Sequence, residues 1–468
     1  MSEHAQEPKL SVGRNMKIGL FHLASGMSDV IITGVWNRIM ITDLGYAATP
    51  VSLLTSLRYF LAPLGIWAGR ISDQRPIGGY RRMFWIWLGR AMMVASTIAL
   101  GLTTAALTAG GGAVGMAGKD ALHWIAIALS LLLFSLGTAI SGSTFLALIY
   151  DRAPENQRGR AVGIVWTFLL IGFAVGGFTF GRLLPAHEQG ENMLFTPEQL
   201  QGLFLGGAIA MGVLWFVSLI GEEKRTQSGQ ILSKKAQQEY TTSARADLKL
   251  VFSLRPMRYF FWYLGLSMFF AFSQDLILEP FGGDVFNMDA SITTRFTSYW
   301  ASMAILGTIV FLILSRRFKS LTNSVMSYLG VGFLVIGFAL FTIAAFAIMR
   351  PLVTWGLIFL GLGLGIWNVG TTGLMMDMSP AGRAGTFLGF WSLVVTLARG
   401  GGVSSAGILR DLGISLTGSM PVAYGICFLL GTIGLGVALY MLWQANIKAY
   451  KAEQSRLDTA TILAGAMD

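Results

Sequence analysis

The stretches FLALIYDRAPENQRGRAVGIVW, residues 145–166, and GLMMDMSPAGRAGTFLGFW, residues 373–391, share one layout. Each has an apolar run, an Asp-x-x-Pro turn, a loop with arginine and glycine, and an apolar run that reaches a tryptophan. Asp151 and Asp377 are 226 residues apart, and Trp166 and Trp391 are 225 residues apart. Ordered matches at a nearly constant offset indicate an internal repeat, so the chain is predicted to consist of two similar halves.

The composition places both halves in a membrane. The chain has 468 residues, of which 54% are hydrophobic and only 12% are charged. Soluble proteins carry about 25% charged residues, so a soluble enzyme, a disordered protein and a nucleic-acid binder are all disfavoured. The 58 glycines suit helices that pack closely in a bilayer.

Twelve apolar segments are long enough to span a membrane as helices. They lie near 17–43, 49–69, 83–108, 121–150, 161–184, 199–220, 257–282, 293–315, 323–349, 351–377, 386–409 and 418–443. We therefore predict an all-α polytopic membrane protein with twelve transmembrane helices in two six-helix pseudo-repeats. Its predicted parts are a tail 1–16, a half 17–220, a linker 221–256, a half 257–443 and a tail 444–468.

The basic residues predict the orientation of the chain. Of the 34 lysines and arginines, 25 fall in the two tails and in the loops on the same side as the tails. Cytoplasmic loops carry an excess of Lys and Arg, so both termini are predicted to be cytoplasmic. The net charge of +10 then faces an anionic lipid leaflet, and we expect membrane lipid but no nucleic acid as a partner.

Two parallel six-helix halves resemble the architecture of the major facilitator superfamily. The loop GRISDQRPIGGYRR, residues 69–82, is similar to that superfamily's loop motif, although it is a few residues longer. The resemblance implies a gate on the side of the tails, and a solvated basic loop is the alternative. The candidate gate residues are Asp73 and Arg82, with Asp151 and Arg158 after the fourth segment and their counterparts Asp377 and Arg383 after the tenth.

Three charged residues lie deep inside apolar segments. Asp29, Arg58 and Arg399 are each roughly 16–20 Å from the segment end on the side of the tails, at 1.5 Å of rise per residue. Charges at that depth are costly and are functional candidates by default. We predict that Asp29 pairs with Arg58 or Arg399 on a cavity wall; the alternative is an ion pair that only fixes helix packing.

A second polar group lies near the outer end of the first and seventh segments. It consists of Asn37, Arg38, Asp275 and Glu279. Asp275 and Glu279 are four residues apart and share a helix face, so Arg38 is a candidate to bridge to one of them and close an outer gate. The alternative is that Arg38 extends towards the interface. Pro280 is predicted to break the seventh helix.

Sequence features also limit the chemistry of the chain. Cys427 is the only cysteine, which excludes an internal disulfide and a cysteine-based metal site. There is no metal cluster, phosphate-binding loop or nucleophile–base arrangement, so we expect neither a metal site nor an enzyme. Trp166 and Trp391 are candidate cavity residues, with ordinary packing as the alternative.

Two stretches resemble a narrower group, the PucC/LhaA family of light-harvesting assembly proteins, also called the bacteriochlorophyll delivery family. They are GVWNRIMITDLG, residues 34–45, and QDLILEPFGGDVF, residues 274–286. The resemblance implies an assembly factor for antenna complexes in the inner or intracytoplasmic membrane of a phototroph. It implies bacteriochlorophyll or chlorophyll as a transient ligand, and antenna polypeptides or a reaction-centre antenna complex as partners. His22 is a candidate ligand for the magnesium of such a pigment; a structural histidine is the alternative.

Two other functions stay open at this stage. One is a proton-coupled secondary transporter of a small molecule. Gly163, Gly172 and Gly176 keep the spacing of an antiporter motif, but Gly177 stands where that motif has proline. The other is a membrane scaffold that has lost transport.

Overall fold

The computed structural model of the chain is built from long helices. It describes residues 11–74, 77–116, 118–153, 157–185, 195–223, 252, 254–379, 384–447 and 450, without the side chains of 73, 74, 158–160 and 384–388. In these residues the helices are joined by short loops, and the pairing of Ile77 with Tyr80 is an isolated β-bridge.

Among the described residues, twelve helices are long and apolar enough to cross a membrane. We number them α1 Val12–Asp43, α2 Ala48–Ser72, α3 Met83–Ala109, α4 Ala121–Arg152, α5 Ala161–Leu183, α6 Pro197–Ser218, α7 Arg255–Phe286, α8 Ala290–Arg317, α9 Asn323–Ala347, α10 Pro351–Asp377, α11 Gly389–Thr417 and α12 Met420–Gln444. Each coincides with a predicted segment, which confirms the all-α, twelve-span fold class. The largest differences are at α1, which begins before residue 17, and at α11, which continues past residue 409.

Because twelve is an even number, the chain enters α1 and leaves α12 on the same side of the membrane. We call this the terminal side, and the opposite side the outer side. A short helix, Gly112–Met116, follows α3 on the outer side.

The chain divides into two compact units. The first contains Met1–Ile231, Gln274–Ile305 and Val403–Tyr424, and therefore holds α1 to α6 with the outer parts of α7, α8 and α11. The second contains Leu232–Ser273, Leu306–Gly402 and Gly425–Asp468. The division into halves at a linker 221–256 stays a prediction, and residues 224–251 of that linker lie outside the described residues.

Helix α1 changes its winding towards the outer side. It is α-helical over Val12–Val30 and then has two π-helical turns, Ile31–Trp36 and Ile39–Asp43. A π-turn accommodates an extra residue and rotates the helix face that follows it, and such turns are common at functional sites. Asn37 and Arg38 lie between the two turns, so their direction is set by this change in winding.

The predicted break at Pro280 is wrong. Helix α7 is interrupted at Ser273 and then runs without a break over Gln274–Phe286, with Pro280 inside it. Proline has no main-chain N–H, so the carbonyl of Leu276, four residues earlier, has no helical donor. The side-chain amide of Asn37 donates to this carbonyl at 2.8 Å. The helix can therefore pass through Pro280 because α1 supplies the missing donor.

Two glycines bring helix backbones into contact, one inside each unit. In the first unit, a Cβ on Gly172 of α5 would lie 2.2 Å from the carbonyl oxygen of Leu23 in α1. In the second unit, a Cβ on Gly402 of α11 would lie 2.0 Å from the carbonyl oxygen of Phe269 in α7. Both distances are too short for any side chain. These glycines therefore serve the packing of α5 on α1 and of α11 on α7.

Gly172→Ala tests this packing. The new methyl group would meet a main-chain oxygen that cannot rotate away, so we expect the free energy of unfolding to fall by about 1–3 kcal/mol. The matched control is Gly163→Ala in the same helix, where nothing lies within 4 Å of the added Cβ. Chemical unfolding in detergent micelles measures both variants, and equal stability of the two would contradict the close approach.

Candidate functional site

Asp29 and Arg58 form an ion pair between α1 and α2. Arg58 Nη1 donates to Asp29 Oδ1, and Arg58 Nη2 donates to the hydroxyl of Tyr59 at 2.8 Å. The Arg58 side chain is 5% exposed, whereas that of Asp29 is 26% exposed. Asp29 therefore pairs with Arg58, which is one of its two predicted partners. In the second unit, the guanidinium of Arg399 lies 4.2 Å from the ring centre of Phe272.

Four aromatic side chains form a cluster on α1, α4 and α5, which we call the aromatic nest: Phe21, His22, Phe145 and Trp166. The His22 ring lies 4.9 Å from Phe145 and 5.3 Å from Trp166, and Phe21 stacks on Phe145 at 3.8 Å. Trp166 is half exposed, so the nest presents an aromatic face at the surface of the unit.

His22 has an unusual position in this nest. Within the described part of the chain, its Nδ1 atom is buried and has no hydrogen-bond partner. This nitrogen therefore makes no hydrogen bond that would hold His22 as a structural residue. A neutral imidazole nitrogen without a partner is able to accept a hydrogen bond or bind a metal ion.

Arg90 of α3 lies beside the nest and was not among the predicted site residues. Its guanidinium is 4.2 Å from the ring centre of Phe21 and 4.8 Å from that of Trp215. Aromatic faces stabilise a cation by their negative electrostatic potential. Arg90 is buried, and the sequence showed an arginine inside a span without showing the two rings that surround it.

Trp391 does not match its counterpart in the repeat. Its side chain is fully buried and packs edge-on against Phe260 at 5.2 Å, whereas Trp166 is 50% exposed. A fully buried indole presents no face to a ligand, so the packing alternative applies to Trp391. The side chain of Phe387 lies outside the described residues.

The predicted outer group of α1 and α7 is buried in the first unit, but its pairing differs from the prediction. Arg38 Nη1 donates to Asp43 at 2.8 Å and Arg38 Nη2 donates to the carbonyl of Met288 at 3.0 Å. The expected bridge from Arg38 to Asp275 or Glu279 is therefore corrected to an ion pair within α1. The π-turn Ile39–Asp43 explains it, because it brings Asp43 back to Arg38. Both side chains are almost completely buried, which also excludes extension of Arg38 to the interface.

Glu279 and Asp275 of α7 each accept a hydrogen bond from a neutral donor. Glu279 accepts a hydrogen bond from Thr297 Oγ1 of α8 at 2.9 Å. Asp275 accepts one from the amide of Gln274 at 2.6 Å. The outer group thus joins α1, α7 and α8 through Asn37, Arg38 and Glu279. Its role as a gate stays a prediction.

A second polar cluster on the outer side was missed by the sequence; we call it the outer latch. It consists of Asp284 of α7, Arg410 and Asp411 of α11, and Tyr424 of α12. Arg410 Nη2 and the Tyr424 hydroxyl each donate to Asp284 Oδ2 at 2.6 Å. The side chains of Asp284 and Arg410 are each 6% exposed.

The outer latch also holds α2. Asp411 accepts hydrogen bonds from the main-chain N–H groups of Ala48 at 3.0 Å and Thr49 at 2.7 Å. These N–H groups begin α2 and have no partners within their helix, so the carboxylate of α11 caps it and complements its dipole. In sequence, Arg410 appears only as one charge at a helix end, because Asp284, the partner that joins it to α7, is 126 residues away.

On the terminal side, the predicted gate residues of the first half contact one another. Arg82 Nε donates to Asp151 at 3.2 Å, and Arg82 Nη1 donates to Ser72 Oγ at 2.7 Å. Glu223 accepts from the N–H of Met83 at 2.7 Å and so caps α3. The Arg82–Asp151 pair joins α3 to α4, within the first half.

The second half has a similar contact, in which an asparagine takes the place of the arginine. Asn323, which begins α9, donates to Asp377 at the end of α10 at 3.0 Å. The internal repeat is therefore visible as a contact between a helix start and the carboxylate at the end of the next helix. Arg383 and the side chains of Asp73 and Arg158 lie outside the described residues, so their gate roles stay predictions.

The described residues contain no group of three or more His, Cys, Asp or Glu that could hold a metal ion. The polar groups named above are instead arranged as ion pairs, helix caps and single hydrogen bonds. The chemistry that remains available to a ligand in the first unit is the aromatic face of the nest, with His22 Nδ1 and the partly exposed carboxylate of Asp29.

Comparison with known families gives one match over most of the chain. A family model described as PUCC protein matches residues 35–449. Protein PucC of Rhodovulum sulfidophilum is 28% identical over 418 residues, which cover 87% of each chain. A bacteriochlorophyll synthase 44.5 kDa chain of Rhodobacter capsulatus is 27% identical over 460 residues, covering 96% of this chain and 98% of the relative.

Solved structures show the same fold at low sequence identity. A bacterial homolog of the human lysosomal transporter Spinster, in an inward-facing and unoccupied conformation, has a TM-score of 0.65 at 16% identity and covers 95% of this chain and 96% of its own. The nucleoside transporter NupG has a TM-score of 0.61 at 14% identity, covering 93% of this chain and 99% of its own. These likenesses confirm the major facilitator fold and carry no information about substrate.

The bond from Asn37 to Leu276 can be tested by a double-mutant cycle. Asn37→Ala leaves a buried carbonyl without a donor, so we expect the free energy of unfolding to fall by about 1–3 kcal/mol. Pro280→Ala restores the missing helical N–H. In that background Asn37→Ala should lose less than about 1 kcal/mol. Unfolding in detergent measures all four proteins, and an equal loss in both backgrounds would show that the amide does not replace the helical donor.

Arg410→Gln tests the outer latch. The substitution leaves Asp284 buried without its cation, and we expect a loss of about 3–5 kcal/mol in the free energy of unfolding. Arg350→Gln is the matched control, because Arg350 is an exposed arginine on the same side and should change stability by less than about 0.5 kcal/mol. If both variants unfolded at the same denaturant concentration as the unchanged protein, the latch would contribute nothing.

Proposed function

The chain belongs to the PUCC protein family, and from this membership we propose that it assists the assembly of photosynthetic light-harvesting complexes in a membrane. The family match over residues 35–449 carries the proposal, because it covers nearly the whole helical part of the chain. A relative named as a chain of bacteriochlorophyll synthase adds support from the same biochemical context.

The proposed cargo is bacteriochlorophyll or chlorophyll. The proposed partners are single-span antenna polypeptides or a reaction-centre antenna complex, together with membrane lipid. The protein handles these molecules without a catalytic step of its own. A tetrapyrrole is a large, flat and mostly apolar molecule, so a binding site needs an aromatic or apolar face and few charges.

The aromatic nest fits such a cargo. Trp166 is half exposed and offers a ring face at the surface of the first unit. His22 Nδ1 has no hydrogen-bond partner in the described part of the chain, and imidazole nitrogen is a common metal ligand. When a magnesium pigment is bound, its magnesium offers a coordination position that such a nitrogen can fill. His22 is buried against Phe145, so its side chain must turn outward to reach a ligand.

The nest is supported by geometry rather than by family membership. His22 and Asp29 precede residue 35, where the family match begins, whereas Phe145 and Trp166 lie within it. The contributions of His22, Phe145, Trp166 and Asp29 are therefore all assigned by their positions in the first unit.

The proposed location is the inner or intracytoplasmic photosynthetic membrane, with the terminal side facing the cytoplasm. The excess of lysine and arginine in the loops of the terminal side supports this orientation. A reporter fused after residue 468, compared with one placed in the loop between α9 and α10, distinguishes the two orientations.

One observation favours a transporter of a small polar molecule instead. The carboxylate of Asp29 is 26% exposed beside the buried Arg58, so an ion pair deep in α1 and α2 is open to a polar ligand. The major facilitator fold is compatible with that alternative. A scaffold that binds antenna polypeptides without pigment is the third candidate.

Trp166→Ala tests the proposed cargo site. We expect the variant, purified from the native membrane in mild detergent, to carry several-fold less pigment by absorbance and to restore less antenna complex in a deletion strain. Loss of the indole removes stacking area worth about 1 kcal/mol or more. The matched control is Trp355→Ala, because Trp355 is similarly exposed, at 56%, in α10 and is outside the nest.

Three results would change the assignment. A deletion strain with normal antenna complexes would refute the assembly role. Antenna polypeptide that co-purifies without pigment would favour the scaffold. Proton-driven uptake of a polar solute that is lost in Asp29→Asn but kept in Trp166→Ala would favour the transporter.

A further inference from the structure

A cavity of about 640 Å³ opens at the terminal side of the second unit. It lies where α7 and α9 begin and where α12 ends. Its lining residues are Arg255, Pro256, Ser324, Tyr328, Leu442, Trp443, Gln444, Asn446, Ile447 and Tyr450. The size is in the range of small-molecule sites, and the cavity is separate from the aromatic nest, which belongs to the first unit.

The polar part of the lining favours an anion. It contains one arginine and several neutral polar side chains, and none of the lining residues that the structure describes is acidic. Arg255 Nη2 donates to Gln444 Oε1 at 3.3 Å. Its guanidinium also lies 5.6 Å from the ring centre of Tyr259, and in the described part of the chain it makes no ion pair with a carboxylate.

One helix start adds to this positive potential. Arg255 and Pro256 begin α7, and the preceding Leu254 supplies no side-chain cap. Ser324 lies in the first turn of α9, where Thr322 Oγ1 already accepts from the N–H of Val325. The first N–H groups of a helix have no partners within it and carry partial positive charge, which favours a phosphate group nearby.

The rest of the cavity suits a lipid better than a soluble ion. Trp443 is 65% exposed and lies one residue before the end of α12, while Leu442 and Ile447 of the lining are 1% and 6% exposed. Tryptophan at a helix end is typical of the membrane interface. Tyr450 is buried at the cavity, and this burial raises the pKa of its hydroxyl, which therefore stays a hydrogen-bond donor.

We propose that this cavity binds the phosphate headgroup of an anionic phospholipid. Arg255 and the start of α7 contact the phosphate, and Trp443 contacts the glycerol and the upper acyl chains. Basic pockets between helices on the anionic side of a membrane bind such headgroups. The proposal is independent of the assembly function, because the site is in a different unit and its test does not use pigment or antenna.

The test uses the full-length protein, stripped of lipid in a neutral detergent. We expect phosphatidylglycerol or cardiolipin to raise the unfolding temperature in a saturable way, and phosphatidylcholine to have little effect. Arg255→Gln should weaken the apparent affinity roughly tenfold, since a hydrogen bond from a charged group is lost. Arg316→Gln is the matched control, because Arg316 is an exposed arginine at the end of α8 and does not line the cavity.

A second variant guards against a folding defect of Arg255→Gln. Gln444→Glu keeps the shape of the rim and places a carboxylate beside Arg255, so it should abolish the response to anionic lipid while the protein stays folded. An unchanged lipid response in both variants would refute the site. Inorganic phosphate alone, if it stabilised the protein as much as the lipid, would refute the lipid as its source and indicate a soluble anion.

Discussion

The outer part of the first unit depends on one hydrogen bond, from the side-chain amide of Asn37 to the main-chain carbonyl of Leu276. Pro280 creates the need for it by removing the helical N–H, and a bilayer has no water to replace that donor. The donor comes from another helix, so α7 can pass through Pro280 where α1 lies against it. The neighbouring contacts follow from this placement, because it brings Arg38 to the carbonyl of Met288. Pro280 would break a helix in a soluble protein. Here the carbonyl that it leaves without a helical donor accepts the hydrogen bond that joins α1 to α7.

Buried cations in the first unit are stabilised in two different ways. Arg38, Arg58 and Arg410 each pair with a carboxylate, while Arg90 lies between the rings of Phe21 and Trp215. Aromatic faces do not need to lose hydration as carboxylates do, so they can hold a cation at lower desolvation cost. The same rings continue into the nest with His22 and Trp166. Phe21 thus joins the position of Arg90 to the nest, where it stacks on Phe145.

Much of the fold, but less of the site, could be predicted from the sequence. Apolar length fixed the twelve spans, and a constant rise per residue placed Asp29 and Arg58 at matching depths, where they pair. The prediction for Arg38 was wrong because the π-helical turns of α1 change which residues share its face. The repeat suggested equal roles for Trp166 and Trp391, but exposure depends on the neighbours of each residue. Arg410 was missed because Asp284, the partner that joins it to α7, is 126 residues away in sequence.

The membrane location, the number of helices and the internal repeat could all be predicted from the sequence, because they depend on composition and on the spacing of residues along the chain. Only the tertiary structure decided which polar groups meet. The donor for Leu276, the cap of α2 by Asp411 and the cavity at Arg255 each join residues from helices that are distant in sequence. Helix packing fixes those meetings, and it depends on where glycines let backbones touch and on how each helix is wound. Neither of these can be read directly from the amino-acid sequence.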